Sequence, residues 1–315
     1  MVEEPKPGAG DWARSQLRAV QGAGWLAPMT SWRGGSATLA VLSFDVDAES
    51  PILAASKRFA EHAMVMTHQA FGPLTGVPRL LALLADYDLP ATFFIPGLTA
   101  ERYPAMVERV LAAGHEVAHH SYSHRSAVDL GPDEERADFE RALAALRAVG
   151  AEPRGHRAAL WEASWLTPEL VAEHGLVYDS SLMDADVPYL LQTPRGEIVE
   201  LPPHWSLDDW EQYAFLPRPD IGGVIESPSR VAEMWIGEVR AMRRHGALFL
   251  LTCHPFLSGR AGRVEALRTL IEAILATGDV RFCTCLEVAE RARAAEDVER
   301  RALNPVKPPP DVYDD

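Results

Sequence analysis

Short apolar runs recur along the chain and predict the strands of a buried sheet. The two longest, ATLAVLSF at 37–44 and ALFLLTC at 247–253, contain no charged residue. Uninterrupted runs of this kind are typical of parallel strands that are covered on both faces. The strands predicted in this way are 37–44, 91–96, 116–119, 176–178, 198–201, 247–253 and 281–284.

Between these runs, apolar residues recur every three or four positions, which predicts amphipathic helices. Pro132, Pro168 and Pro228 stand where helices would begin, and the first turn tolerates proline because the N–H it lacks has no partner there. Gly150 and Gly246 stand just past predicted helix ends, where a left-handed cap favours glycine. The predicted helices are 77–87, 103–113, 132–149, 168–174, 229–245, 262–277 and 286–303.

The alternation of strand and helix predicts βα units around a parallel sheet. A doubly wound sheet and a barrel both fit this alternation. The polar motifs described below follow predicted strands, and barrel enzymes carry their active sites at the carboxyl ends of the strands. The pattern therefore favours an α/β barrel with parallel strands inside and helices outside.

The two ends of the chain depart from this pattern. The segment 1–36 is predicted to be an N-terminal arm that packs on the barrel or on a neighbouring subunit. It contains three tryptophans, Trp12, Trp25 and Trp32. The segment 304–315 is rich in proline and acidic residues and is predicted to be disordered. Residues 37–303 are predicted to form a single catalytic barrel domain.

Composition narrows the choice of partners. The chain has 315 residues, a formal net charge of −15 and a pI of about 5.2. Nucleic acids and anionic membrane surfaces need clustered lysine and arginine, so we expect neither as a partner. The sequence has no run of about 18 apolar residues and no basic, apolar leader, so we expect no membrane span and a cytoplasmic location.

Two carboxylates follow the first predicted strand. Asp45 and Asp47 are two positions apart, so on an extended chain they share one face. Two buried carboxylates are costly unless a positive group lies beside them. The sequence therefore indicates a cation site here, with an aspartate-capped solvated turn as the alternative.

Four histidines lie in GHEVAHHSYSH at 114–124. His115 and His119 would lie about 13 Å apart on a strand, at ~3.3 Å per residue, which is too far to share an ion. His120 and His124 follow the strand, and in a helical turn their side chains would lie about 6 Å apart on one face. Two imidazoles and one carboxylate form a catalytic metal set, and a second carboxylate is a candidate general base. Loop histidines without a ligand role are the alternative.

SFDVD followed by HSYSH resembles the polysaccharide deacetylase-like family of carbohydrate esterases, whose core is a deformed (β/α)7 barrel. The resemblance covers roughly residues 37–289 and includes LPATFFIPG and YDSSLM. Val46 separates the two aspartates, which are adjacent in the commonest form of the family motif. The Asp-x-Asp form resembles the branch that contains cyclic imide hydrolases, peptidoglycan deacetylase-like proteins and allantoinase relatives.

The resemblance implies a role for each matching residue. The metal ligands that it implies are Asp47, His120 and His124. The catalytic residues that it implies are Asp45 as base, His254 as acid, Arg157 as the residue that positions the base, and Asp179 as a further acidic residue. Ala159 stands where proline is usual, so the loop that follows Arg157 departs from the family pattern.

The expected reaction is metal-dependent hydrolysis of a carbon–nitrogen bond other than a peptide bond. The branch resemblance and the absent leader favour a small cyclic imide as substrate. An N-acetylated sugar of a polysaccharide or peptidoglycan is the alternative, and a non-catalytic metal-binding relative is a third reading. Aromatic walls suit a sugar ring or a flat imide equally. The candidate pocket residues are Trp161, Trp205, Asp209 and Trp210.

We expect one divalent metal ion, zinc by default, with cobalt, nickel or manganese as alternatives. The substrate is expected to be a small molecule. The N-terminal arm and the branch resemblance favour a homo-oligomer, either a dimer or a tetramer.

Overall fold

The computed structural model describes residues 31–305, and ten strands of this part of the chain form one sheet. These strands are β1 Thr38–Asp45, β2 Thr92–Ile95, β3 Glu116–His119, β4 Gly155–His156, β5 Tyr178–Asp179, β6 Tyr189–Thr193, β7 Gly196–Glu200, β10 Phe249–Cys253, β11 Val280–Phe282 and β12 Arg300–Ala302. A separate hairpin is formed by β8 Leu216–Pro217 and β9 Asp220–Ile221.

The strand order in the sheet is β10-β1-β2-β3-β4-β5-β7-β6-β12, and β11 pairs with β1. Neighbouring strands run parallel except for the β6–β7 hairpin, which is antiparallel. The predicted parallel sheet is therefore present. Its carboxyl ends meet at one edge, so the residues that follow β1, β3, β4 and β10 lie close together.

The sheet begins at β10 and ends at β12, and no ladder joins these two edge strands in the described residues. Irregular segments bridge this gap through single backbone hydrogen bonds. The Leu248 N–H donates to the Asp186 carbonyl at 2.8 Å, and the Asp209 N–H donates to the Thr252 carbonyl at 3.1 Å. These bonds satisfy backbone groups of Leu248, just before β10, and of Thr252 within it, which would otherwise lie on a free edge.

Helices surround the sheet. They are α1 Ser50–Ala55, α2 Ala63–Phe71, α3 Val77–Asp86, α4 Gly97–Arg102, α5 Pro104–Ala112, α6 Pro132–Ala148, α7 Thr167–Glu173, α8 Trp210–Tyr213, α9 Pro228–His245, α10 Pro255–Ser258, α11 Ala261–Leu275 and α12 Cys285–Ala294. In α3 the buried residues Leu80, Leu83 and Leu84 form the stripe that the periodicity predicts. Gly246 ends α9 with φ 69°, the left-handed cap expected there.

The prediction of one helix over 286–303 is wrong. The helix ends at Ala294, and Arg300–Ala302 forms β12 beside β6. This pairing provides hydrogen-bond partners for the backbone of β6, the outer strand of the β6–β7 hairpin. For example, the Leu190 N–H donates to the Glu299 carbonyl at 2.8 Å. The helical periodicity of a segment depends only on residues close together in the chain. It therefore does not reveal that part of the segment pairs with a strand far away in sequence, here β6.

Only the end of the predicted N-terminal arm lies in the described residues. Trp32 is buried against α12, and the Ser31 hydroxyl donates to Asp297 at 2.6 Å. Trp12, Trp25 and nearly all of the predicted tail, 306–315, lie outside the described residues. No helix of the described part is long and apolar enough to cross a membrane. The cytoplasmic location and the oligomeric state stay predictions.

Candidate metal-dependent active site

Strand alternation places the first two acidic residues of the site. Leu39 and Val41 belong to one buried cluster, whereas Leu42 and Phe44 belong to another. Asp45 continues the series of Leu39 and Val41 at the carboxyl end of β1, and it is buried. The backbone of Asp47 is held beyond the strand, because its carbonyl accepts from Ser50 Oγ at 2.6 Å and from Thr99 Oγ1 at 2.7 Å.

His120 and His124 lie in a tight turn after β3, and the helical conformation considered for this segment does not form. Ser121 and His124 both have φ 57°, a left-handed conformation that is uncommon for residues other than glycine. The turn brings the two imidazoles together, with their ring centroids 5.1 Å apart. His119 faces away and contacts the Phe139 carbonyl at 3.0 Å, so the sequence argument that excluded it as a co-ligand agrees with the structure.

Asp47, His120 and His124 converge on one point. His120 Nε2 lies 3.4 Å from Asp47 Oδ1, and His124 Nε2 lies 3.3 Å from Asp47 Oδ2. Donors bound at about 2.0–2.1 Å to a tetrahedral ion lie roughly 3.3 Å from one another, so this spacing fits a bound metal. Asp47 Oδ1 is buried and has no hydrogen-bond partner among the described residues.

The surroundings of these donors favour metal binding. His120 Nδ1 lies 2.8 Å from the Arg157 carbonyl and donates to it, which leaves Nε2 as the free lone pair facing Asp47. Burial by itself would raise the pKa of Asp47, but the adjacent His124 and His120 lower it well below its usual value. A carboxylate that stays ionised beside two imidazoles is a ready ligand for a divalent cation.

Asp45 and Arg157 form a buried ion pair next to His120. Arg157 Nη1 donates to Asp45 Oδ1 at 2.7 Å and to Ser43 Oγ at 3.0 Å, and Arg157 Nη2 donates to Ser180 Oγ at 3.2 Å. Asp45 Oδ2 lies 3.8 Å from His120 Nε2. Arg157 therefore fixes the orientation of the Asp45 carboxylate, whose second oxygen lies towards His120.

His254 lies directly after β10 and next to Asp47. Its Nε2 is 3.6 Å from Asp47 Oδ2, and its Nδ1 is 2.7 Å from Asp209 Oδ1. Burial lowers the pKa of His254, but Asp208 and Asp209 raise it well above its ordinary value. The two carboxylates therefore favour the protonated form of this imidazole.

Two residues that the sequence assigned to the site, Asp209 and Asp179, do not line the cavity. Asp209 was expected in the pocket wall, but it is fully buried and binds His254 and Ser258 Oγ from behind. Asp179 lies at the end of β5, where its Oδ1 is 2.6 Å from His156 Nδ1, and it does not line the cavity described next. The acidic partner of His254 is thus Asp209, which sequence reasoning assigned to a different role.

One cavity of about 290 Å³ collects these groups. Its lining includes the three candidate metal ligands, Asp45 and His254, together with the three tryptophans that the sequence singled out. The lining residues are Asp45, Asp47, His120, His124, Leu160, Trp161, Glu162, Trp205, Asp208, Trp210, Glu211 and His254.

Comparison with known proteins identifies the family. The profile of the polysaccharide deacetylases matches residues 60–178. The peptidoglycan deacetylase of Helicobacter pylori is 32% identical over 248 residues, which cover 70% of this chain and 84% of that protein. The chain belongs to the polysaccharide deacetylase family. The resemblance seen in SFDVD and HSYSH is thereby confirmed.

Solved structures of similar fold agree with this assignment to the polysaccharide deacetylases. A Mycobacterium smegmatis protein assigned to the same family is 46% identical, with a TM-score of 0.84 over 87% of this chain and 96% of that one. An allantoinase is 21% identical, with a TM-score of 0.72 over 93% and 98% of the two chains, a similarity that shows the fold alone. The predicted deformed barrel with outer helices is confirmed.

Family membership also confirms the predicted reaction class. A polysaccharide deacetylase is a hydrolase of carbon–nitrogen bonds other than peptide bonds. Members of the family use a divalent metal ion, and Asp47, His120 and His124 form one group of the described residues that could hold it. Asp208, Asp209 and His254 form a second group with metal-ligand spacing.

A carboxylate that sequence reasoning missed clamps the turn between His120 and His124, the two candidate histidine ligands. Asp138 of α6 accepts from the Tyr122 N–H at 2.7 Å and from the Ser123 N–H at 3.1 Å. A residue other than glycine keeps a left-handed backbone conformation only where several surrounding contacts hold it in that conformation. Asp138 supplies this restraint for a turn with two such residues. In the sequence it is one of several acidic residues on α6, so no signal distinguishes it.

We expect Asp138→Ala to weaken metal affinity by about tenfold, the lower end of the range for residues that orient ligands. Titration of the metal-free protein with zinc against a chelating dye measures this. Asp133→Ala is the control, because Asp133 is exposed near the start of the same helix. Equal zinc affinity in wild type and Asp138→Ala would show that the turn holds its shape without the clamp.

Proposed function

We propose that this protein hydrolyses the acetamido group of an N-acetylated amino sugar in a glycan. The observation that carries the proposal is that one cavity holds Asp45 beside His120 and His254 beside Asp47, so that a carboxylate and an imidazole both adjoin the candidate metal ligands. The names of relatives support the substrate class. Besides the Helicobacter pylori peptidoglycan deacetylase, a chitooligosaccharide deacetylase of Sinorhizobium fredii is 31% identical over 62% of this chain and 78% of that protein. These relatives favour an acetylated sugar over the cyclic imide that the sequence favoured.

In this mechanism the protein side chains move the protons. Asp45, oriented by Arg157, accepts a proton from the attacking water as its oxygen bonds to the acetyl carbon. His254 donates a proton to the departing nitrogen as the carbon–nitrogen bond breaks. The products are acetate and a free amine. A metal ion held by Asp47, His120 and His124 supplies Lewis-acid polarisation of the amide carbonyl when it is bound.

We propose zinc as the metal. Two imidazole nitrogens and one carboxylate oxygen, with further positions open to water, match catalytic zinc sites. Cobalt, nickel and manganese accept the same donors, so the metal content of protein purified without added metal decides among them.

A small cyclic imide is the second candidate substrate. A cavity of about 290 Å³ lies at the small end of ligand pockets, which span roughly 300–1,000 Å³. A single flat ring would fit inside such a cavity. A sugar chain would place one ring in the cavity and extend outside it.

Zinc-loaded protein assayed on N-acetylglucosamine oligomers, on peptidoglycan and on succinimide-type rings tests the proposal. We expect acetate release from the sugars and no ring opening of the imide. Treatment with a chelator is expected to stop acetate release, and added zinc to restore it. Ring opening of the imide without acetate release from any sugar would overturn the proposal in favour of the second candidate.

A further inference from the structure

Asp179 is a buried carboxylate that none of the proton transfers of the proposed reaction uses. It does not line the cavity, and its side chain is fully buried at the end of β5. Its Oδ1 accepts a hydrogen bond from His156 Nδ1 at 2.6 Å and another from Ser181 Oγ at 2.9 Å. Burying a carboxylate is costly unless neighbouring donors compensate it, so these two donors stabilise Asp179 in this position.

The two donors to Asp179 are tied to the residues on either side of Arg157 in the chain. His156 directly precedes Arg157. Ser181 Oγ accepts a hydrogen bond at 2.9 Å from the N–H of Ala158, which follows Arg157. Asp179 therefore holds the residue before Arg157 by a direct bond and the residue after it through the Ser181 hydroxyl. One carboxylate thus restrains both ends of the segment 156–158.

The segment 156–158 supports two groups of the site. Arg157 Nη1 donates to Asp45 Oδ1 at 2.7 Å, and the Arg157 carbonyl accepts from His120 Nδ1 at 2.8 Å. A displacement of this segment by about 1 Å is enough to break the hydrogen bond to Asp45, and a misplacement of that size can cost about a hundredfold in rate. Contacts that fix the segment therefore bear on catalysis.

Glu200 lies beside Asp179 and supports the same arrangement. The two residues are partners in the register of β5 and β7, and both are fully buried. Glu200 Oε1 accepts from the Ser181 N–H at 2.9 Å and from the Leu182 N–H at 3.0 Å. Burial and the charge of Asp179 raise the pKa of Glu200 well above its usual value. A proton kept on Glu200 removes the repulsion between the two adjacent carboxyl groups, so both can stay buried.

We propose that Asp179 is a positioning residue for the catalytic base, because it fixes Arg157 through His156 and Ser181, and Arg157 in turn orients the Asp45 carboxylate. This inference rests on the proposed function, since acetate release is its readout. Asp179 does not line the cavity, so its effect on turnover reaches the reacting groups through the segment that it holds.

Kinetics of Asp179→Ala on the N-acetylglucosamine tetramer, with saturating zinc, test this role. We expect kcat to fall by about 10–100-fold, the usual cost of losing a residue that orients a functional group. We expect KM to stay within about twofold of wild type, because the residues that line the cavity are unchanged.

A double-mutant cycle with Arg157→Ala shows whether Asp179 acts through Arg157. In the Arg157→Ala background we expect Asp179→Ala to lower kcat by less than about twofold, since two residues that act through one contact are not additive. The proposal is refuted if Asp179→Ala lowers kcat by the same factor in both backgrounds, or if it leaves the kcat of the otherwise wild-type protein unchanged.

Ser181→Ala keeps the test decisive if Asp179→Ala does not fold. It removes only the hydroxyl that joins the Asp179 carboxylate to the Ala158 N–H. We expect kcat to fall by about tenfold at unchanged KM. Thermal unfolding of the zinc-loaded protein shows whether the variant is folded under the assay conditions.

Thr92→Val is the matched control for Ser181→Ala. The Thr92 hydroxyl also joins a buried carboxylate to a backbone N–H, because it donates to Glu116 Oε2 at 2.7 Å and accepts from the Cys285 N–H at 2.8 Å. It lies at the start of β2, whereas the site lies at the carboxyl ends of the strands. We expect Thr92→Val to lower the unfolding temperature and to keep the wild-type kcat.

Two outcomes of this comparison are distinct. Equal kcat in Ser181→Ala and Thr92→Val would show that the Ser181 hydroxyl serves stability alone and would overturn the positioning role. Wild-type protein that releases no acetate from any sugar would instead refute the proposed function.

Discussion

Asp47→Ala is expected to lose the bound metal and to reduce acetate release by at least about a thousandfold, since metal polarisation contributes several kcal/mol to such reactions. Asp47 is the carboxylate nearest to both imidazole nitrogens, at 3.4 Å from His120 Nε2 and 3.3 Å from His124 Nε2. Without this carboxylate, the site keeps only the neutral imidazoles of His120 and His124 as metal ligands. Zinc affinity is expected to fall by more than about a hundredfold, because loss of even an outer-sphere partner costs about 10–100-fold.

The fold is expected to survive this change. The Asp47 carbonyl makes the bonds to Ser50 and Thr99, and alanine keeps that carbonyl. Metal analysis of the purified variant and thermal unfolding in a chelator separate loss of metal from loss of structure. His115→Ala is the control, because His115 belongs to the same histidine-rich motif but lies outside the cavity lining. An Asp47→Ala protein that binds one zinc per chain with wild-type affinity would rule out the ligand assignment.

Asp45→Asn is expected to lower kcat by about 10²–10⁴-fold, the usual contribution of a general base, while the metal stays bound. Asparagine has the shape of aspartate and keeps an oxygen for the bond that Arg157 now makes at 2.7 Å. It cannot take up a proton from water at neutral pH. Single-turnover acetate release with zinc-saturated protein measures the effect, and metal analysis of the same sample shows whether the site is intact.

Ser180→Ala is a useful comparison for Asp45→Asn. It removes one hydrogen bond to Arg157, at 3.2 Å, without touching the carboxylate. If Asp45 acts only through the position of Arg157, both variants lower kcat by similar factors. If Asp45 is the base, Ser180→Ala stays within about tenfold of wild type. Arg157 keeps its hydrogen bonds to Asp45 Oδ1 and Ser43 Oγ in this variant. Loss of metal from Asp45→Asn would instead make Asp45 a ligand.

Local patterns in the sequence predicted the elements that bury a continuous apolar run or stripe. The strand predicted at 37–44 is Thr38–Asp45 in the structure, a shift of one residue at both ends. The helix predicted at 77–87 is Val77–Asp86, one residue shorter at its end. The sequence did not predict the two-residue strand Gly155–His156. It predicted part of β7 but not the hairpin that β7 forms with β6. Gly155–His156 is too short to show a period, and its extended form depends on pairing with β3 and β5.

The site shows the same division between local and distant information. Two motifs and a family resemblance named Asp45, Asp47, His120, His124, Arg157 and His254, and the structure brings all six together. The sequence proposed a helical turn for His120 and His124, whereas the chain forms a left-handed turn clamped by Asp138. It associated Asp179 with catalysis, whereas Asp209 carries the hydrogen bond to His254.

The sequence by itself determined that parallel strands end in acidic and histidine motifs that can hold a metal. Apolar periodicity and donor chemistry are properties of residues close together in the chain, so they can be read locally. Only the tertiary structure decided that Asp209 orients His254 from behind, that Asp138 restrains the ligand turn, and that Trp205 meets Trp161 at the cavity mouth. Each of these contacts joins segments far apart in sequence, and their meeting depends on how the sheet curves and how the loops above it close.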